Sequence, residues 1–216
     1  MALAGTGRRA GASTDAELVA AARDGGEEAC RELVRRFERP VYTLIARMVG
    51  DPRTAEDLAQ EVFVKAFRRL DTYDPQRKLS SWLFKIAHNA TIDFLRRKNP
   101  EAVALEGGDE EGGGLAAVLA DASAESPHIR AERRELARAL ESAIAELRPG
   151  YRELVVLFYC QGVSYPEICE ITGLPVGTVK TNLHRARKLL AERMAALGFA
   201  PGWSPPAGET RPSGPS

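Results

Sequence analysis

Residues 162–192 read GVSYPEICEITGLPVGTVKTNLHRARKLLAE. Ser164 and Glu167 are spaced as an N-cap and a third helical residue, the reciprocal pair of a capping box. Gly173-Leu174-Pro175 then stops the chain, and a second helix opens near Val176 and runs to about Leu197. Two short helices across a tight Gly-containing turn are the helix-turn-helix pattern. Winding the second at about 100° per residue gathers Val176, Val179, Leu183, Ala186 and Leu190 on one face, which must pack. The opposite face holds Thr178, Thr181, His184, Arg185 and Lys188, with Lys180 and Arg187 at its flanks. Such a helix fits the DNA major groove, its N-terminal half against base edges and its cations on phosphates.

The segments before this pair are helical too. Tyr151 to Cys160 is a short, very apolar helix ended by Gly162, and Leu136, Leu140, Ala143, Ile144 and Leu147 make an apolar stripe stopped by Arg148-Pro149-Gly150. Further upstream, residues 99–128 are rich in Gly, acids and small side chains and contain no aromatic. Such a composition buries too little apolar area to offset its ordering entropy, so the segment reads as a flexible linker with a reach of ~100 Å. It divides the chain into a body at 14–98 and a second at 129–197, with disorder expected at 1–13 and in the Pro/Gly/Ser-rich 198–216. The fold expected is all-α: two small helical bodies, loosely tethered.

In the first body, Thr14 and Glu17 make a capping box, and Asp24-Gly25-Gly26 breaks the helix after it. A helix from Glu27 should end near Arg39 because Pro40 lacks an N–H, with another over Val41–Val49. Asp51-Pro52 starts the next, which runs to about Leu70. Ser80 and Ser81 offer a cap for a helix from Trp82 to about Lys98. In the helix after Asp51, one face is apolar and the other carries Asp57, Gln60, Glu61, Val64 and Arg68; an apolar residue amid acids and an amide suits protein docking. In the helix after Ser81, Lys85, His88, Asn89, Ile92 and Arg96 point away from the apolar side. That mixture suits phosphates and exposed base edges. Tyr73 and Trp82 bring aromatic rings beside it.

Composition sets the bounds. The 216 residues are 44% hydrophobic and 28% charged, which is globular and large enough for one ordinary domain or two small ones. The formal net charge is zero, yet residues 1–98 carry +4, 99–128 carry −7 and 129–216 carry +3, so the acidic segment masks two mildly basic ones. No apolar run reaches the ~18 residues of a membrane span. Cys30, Cys160 and Cys169 are odd in number and scattered, which makes no disulfide framework. A reduced, cytoplasmic protein is expected. Nucleotide-loop, metalloprotease, CxxC and GxSxG patterns are missing, and His88, His128 and His184 are scattered, so no enzyme, catalytic residue, metal site, cofactor or small-molecule substrate is expected.

Residues 53–98, RTAEDLAQEVFVKAFRRLDTYDPQRKLSSWLFKIAHNATIDFLRRK, closely resemble region 2 of sigma-70-family factors. Residues 162–192 resemble their region 4, and the presence of only these two regions resembles the extracytoplasmic-function group. The resemblance implies a dissociable, promoter-recognising subunit of bacterial RNA polymerase. It implies that Asp57, Gln60, Glu61 and Val64 dock on the β′ clamp helices. Tyr73, Trp82, Lys85, His88, Asn89 and Arg96 would meet the −10 element as single strand, with Asn89 lining a pocket for a flipped base. Thr178, Lys180, Thr181, His184, Arg185 and Lys188 would read the −35 duplex, and the apolar helix would face the β flap. An anti-sigma factor is a further candidate partner. The alternative is a LuxR-like helix-turn-helix regulator acting without polymerase, which would need a sensing domain or dimer helix at the N-terminus; residues 1–98 show neither a receiver-like βα alternation nor a ligand-pocket pattern. A helical interaction module is a third class.

Overall fold

The computed structural model of the chain describes residues 13–98 and 127–199, and among these every element is helical. The first half contains α1 (Asp15–Arg23), α2 (Glu27–Val49), α3 (Pro52–Arg68), a 3-10 turn (Leu70–Thr72) and α4 (Leu79–Lys98). The second contains α5 (Pro127–Glu146), α6 (Pro149–Val155) continued by a π turn over Val156–Cys160, α7 (Tyr165–Thr172) and α8 (Val176–Ala196). The expected N-terminal segment, linker and tail lie outside the described residues except at their edges, where Pro127 and His128 already belong to α5.

The caps form as the sequence requires. Thr14 and Glu17 close a capping box on α1, the Asp51 carboxylate accepts from the Thr54 N–H at 2.8 Å, and Ser164 and Glu167 close the box on α7. Gly50 and Gly173 end α2 and α7 at φ 74° and 75°, a left-handed conformation that costs glycine no Cβ clash. The two boundaries expected at Pro40 and Ser80–Ser81 are corrected. Helix α2 runs through Pro40, because Phe37, Val41, Leu44 and Ile45 on both sides of it are buried in one continuous stripe. Packing outweighs the lost hydrogen bond. Helix α4 begins at Leu79, whose side chain is buried and anchors the first turn.

Helix α2 is the centre of the first half, packed against α1, α3 and α4. In the second half α8 packs against α5, α6 and α7. The two expected helical bodies are both present, and they also touch each other. Helix α4 packs on α7 and α2 packs on α6, so one apolar core runs from Val19 through Met48 and Ala87 to Leu157, Ile168 and Met194.

Polar stitches close this seam. The half-buried Arg152 guanidinium donates to the carbonyls of Arg47 (3.2 Å) and Met48 (3.1 Å) at the end of α2. It also donates to Ile144 (3.2 Å), Ala145 and Leu147 (2.8 Å) at the end of α5. The last carbonyls of a helix have no partner within it and carry its negative dipole end, so one cation satisfies two helix termini at once. Burial pulls the Arg152 pKa below its ordinary value, but a guanidinium remains charged. Alongside, Arg47 pairs with Glu141 of α5, and the Gln161 amide donates to the Pro40 carbonyl at 3.3 Å.

Arg152→Ala should lower stability by about 2–3 kcal/mol, since it strands several half-buried carbonyls. Arg152→Lys should recover only part of that, because an ammonium has three donors and no planar fork. Urea unfolding of the full chain reads both; equal stability of all three proteins would show that the carbonyls find other donors.

Candidate nucleic-acid interface

Three surfaces carry the residues singled out in the sequence. On α3, Asp57, Gln60, Glu61 and Val64 are all exposed on one side, Val64 to 49%, opposite the buried Ala55, Leu58, Ala59 and Val62. Glu61 pairs with Lys65 at 2.6 Å along the helix. The strip is an apolar knob flanked by acids and an amide.

The second surface is α4 with the loop before it. Lys85, Asn89 and Arg96 are exposed, as their helical spacing requires. Beside them, an open groove of about 440 Å³ between α3 and α4 is lined by Glu61, Lys65, Ala90, Asp93, Arg96 and Arg97. Three other residues sit deeper in the fold. Tyr73 is buried (4% exposed): its hydroxyl donates to the Arg77 carbonyl at 2.7 Å and its ring packs on Trp82 with centroids 5.6 Å apart. Trp82 is half-buried against Leu33, Phe63, Leu79 and Leu83. Ile92 is buried, not outward. The aromatic pair is therefore the wall that sets the loop, not a free stacking platform. Arg23 fixes the same loop by donating to the Leu70 carbonyl (2.9 Å) and the Tyr73 carbonyl (2.7 Å).

His88 is turned into the seam. Its Nδ1 lies 2.5 Å from the Glu153 carboxylate of α6, and Glu153 is only 2% exposed. Nearby, Ser81 Oγ donates to Glu167 at 2.9 Å, Lys78 lies 3.2 Å from the same carboxylate, and Arg77 donates to Glu170 at 3.0 Å. Sequence reasoning missed Glu153 and saw Glu167 only as a cap. The missed signal was an Arg-Glu pair inside a very apolar helix, where charged groups demand buried partners.

The third surface is α8. Lys180 and Lys188 are exposed, while Thr178, Thr181, His184 and Arg185 are half-buried along the same side. His184 Nδ1 is sealed from solvent. Val176, expected in the core, is 50% exposed, because it lies in the first turn beyond the reach of α7; Asn182 is fully buried instead. Neither amide atom of Asn182 has a hydrogen-bond partner among the described residues.

Burial alone raises the Glu167 pKa, but hydrogen bonds from the Ser164 hydroxyl and amide, from Ser81 and from Lys78 outweigh it and hold the carboxyl below its ordinary value. The fold thus favours the ionised form. Its contribution is complete above the unfolded value near 4.5 and is lost as pH falls through the depressed folded value. Urea midpoints should drop below about pH 4.5, and Glu167→Gln should flatten that drop. An unchanged acid profile in the variant would exclude Glu167 as a contributor.

Comparisons with known proteins bear on all three surfaces. Residues 33–101 match the family profile for sigma-70 region 2, and residues 137–190 match that for sigma-70, region 4. The chain is 37% identical over 175 residues to the ECF RNA polymerase sigma factor SigW of Bacillus subtilis (strain 168), covering 80% of this chain and 92% of the relative. It is 32% identical over 192 residues to the ECF RNA polymerase sigma-E factor of Escherichia coli (strain K12), covering 85% and 96%. Among solved structures, CnrH in complex with the cytosolic domain of CnrY superposes with a TM-score of 0.58 at 31% identity, over 84% of this chain and 97% of that one. The sigma factor RpoE in complex with the anti-sigma factor NepR from Bartonella quintana shares the fold at a TM-score of 0.56 and 22% identity, over 76% and 96%.

Proposed function

The chain belongs to the sigma-70 family, in its extracytoplasmic-function group, and on that premise we propose that it divides promoter recognition among its three surfaces. It is a sigma factor that joins the RNA polymerase core and directs initiation from specific promoters. The region 2 match over residues 33–101 occupies the place where a LuxR-like regulator needs its sensing domain, so that alternative is not favoured.

Docking on the core falls to α3. Asp57, Gln60 and Glu61 offer acceptors and an amide to cations of the β′ clamp helices, and Val64 supplies the apolar centre that such contacts require. Lys85, Asn89 and Arg96 on α4 take the −10 strand, the cations on phosphates and the Asn89 amide on an extruded base. Extruding a base costs a few kcal/mol, which contacts to the single strand must offset. His88 joins this face only when released from Glu153, and the Tyr73–Trp82 pair acts by shaping the loop. On α8, Thr178, Lys180, Thr181, His184, Arg185 and Lys188 enter the −35 major groove, and the apolar turn after α6 faces the β flap. None of these steps is catalytic, and the protein works in the cytoplasm, where polymerase is; no described helix is long and apolar enough to cross a membrane. An anti-sigma factor is a natural partner, since both solved relatives are held by a second protein.

The observation that carries this reading is the exposed acid-amide-valine strip on α3 preceding a basic recognition helix in one chain. Run-off transcription tests it. Purified protein should confer promoter-dependent initiation on bacterial core enzyme, and a protein that never binds core would defeat the reading. Asp57→Ala and Glu61→Ala should weaken core association with the fold intact. Arg185→Ala should cost about 1–3 kcal/mol of binding at the −35 element, read by footprinting against mutated −35 sequences. Unaltered preference would mean that another face of α8 reads the groove.

A further inference from the structure

Helix α5 carries arginines where the physics of a helix discourages them. Arg130, Arg134 and Arg138 recur at every fourth residue, and all three are exposed. Side chains four apart are neighbours on a helix, so like charges at that spacing destabilise it. Arg130 also closes the first turn of α5, which contains no acid and where the positive end of the helix dipole opposes a cation. No acid stands three or four residues from Arg130 or Arg134. Glu141, three residues after Arg138, is taken by Arg47. Among the described residues none of the three arginines has a hydrogen bond or an ion pair.

Helix α2 offers the contrast. Arg31, Arg35 and Arg39 repeat at the same interval and are exposed, but acids stand between them. Arg31 lies 2.7 Å from Glu27 and 3.1 Å from Glu28, and Arg35 lies 2.7 Å from Glu32. Those pairs support their helix, whereas the arginines of α5 have no such partner within the fold.

The α5 ladder is about 12 Å long at 1.5 Å per residue. A guanidinium fork matches phosphate oxygens, and a row of forks suits a row of phosphates. A protein partner fits less well, because the centre of a protein interface is apolar. No large apolar side chain is exposed on the described residues of α5, whereas Val64 stands out on α3. Position points the same way. Helix α5 packs on α8, and Glu146 at its end pairs with Arg193 of α8 at 2.6 Å. The ladder therefore sits on the same helical unit as the helix assigned to the −35 duplex.

We propose that Arg130, Arg134 and Arg138 form a phosphate-gripping ladder that holds the backbone of duplex DNA beyond the bases read by α8. The proposal rests on the assignment of α8 to duplex DNA. Such a contact carries no sequence information; it fixes the orientation of the protein on the duplex and adds salt-sensitive affinity.

The test uses the full chain and a labelled mixed-sequence duplex of about 30 base pairs, with anisotropy followed between about 50 and 200 mM NaCl. Arg130→Gln/Arg134→Gln/Arg138→Gln should flatten the slope of log K against log salt by about 2–3, since each neutralised phosphate contributes about 0.9. Binding at the lower salt should weaken by about 10-fold or more. Arg31→Gln/Arg35→Gln/Arg39→Gln removes the same charge from α2 and should change the slope by less than about 1. Arg130→Lys/Arg134→Lys/Arg138→Lys should keep most of the slope, because an ammonium still neutralises a phosphate. The urea midpoint of the α5 glutamine variant should hold or rise, since like-charge repulsion is removed. A fall in that midpoint would give the ladder to the fold and overturn the proposal. Equal slope changes in the α2 and α5 variants would overturn it too. So would weaker binding of the α5 variant to core polymerase with its salt slope unchanged, which would make the partner an acidic protein surface. Arg185→Ala keeps the two readings apart: an unaltered −35 preference would remove the assignment of α8 and leave the ladder's salt slope standing, whereas an unflattened slope beside an altered preference would remove the ladder alone.

Discussion

Helices α2 and α5 end close together, and the half-buried carbonyls at both ends need donors. Arg152 supplies them. Because the guanidinium is planar and has five N–H groups, it reaches the ends of α2 and α5 together, which no smaller cation does. The position of α6, and through it of α7 and α8, follows from that attachment. The apolar core then closes across the seam, from Met48 to Leu154 and Leu157, and makes one packed body out of two sequence regions.

The seam carries ion pairs and hydrogen bonds along α4 and its loop, and against α2 it joins apolar packing to the contacts of Arg152, Arg47 and Gln161. Glu153 is buried and holds His88 across the seam, while Arg77 and Lys78 keep most of their side chains in water and meet Glu170 and Glu167 at its rim. The net charge of zero combines two mildly basic halves with an acidic segment between them.

The strips differ in access: Asp57, Gln60, Glu61 and Val64 on α3 are open, while His88 on α4 is turned inward. Tyr73 and Trp82 are inward too: the aromatic pair holds the loop, so that polar residues of α4, rather than rings, form the accessible surface there.

Local rules in the sequence determined the helices, their caps at Thr14, Asp51 and Ser164, the turn at Gly173 and the exposed strip on α3, because each depends on residues no more than a turn or two apart. Where neighbours in space decided, reading failed. Helix α2 passes Pro40 because the stripe around it is buried by α3 and α4, Tyr73 sinks because Trp82 covers it, and His88 faces inward because Glu153 lies 65 residues further along the chain. Only the tertiary structure revealed that the two halves share a core, since no local pattern records which distant carbonyl an arginine will find.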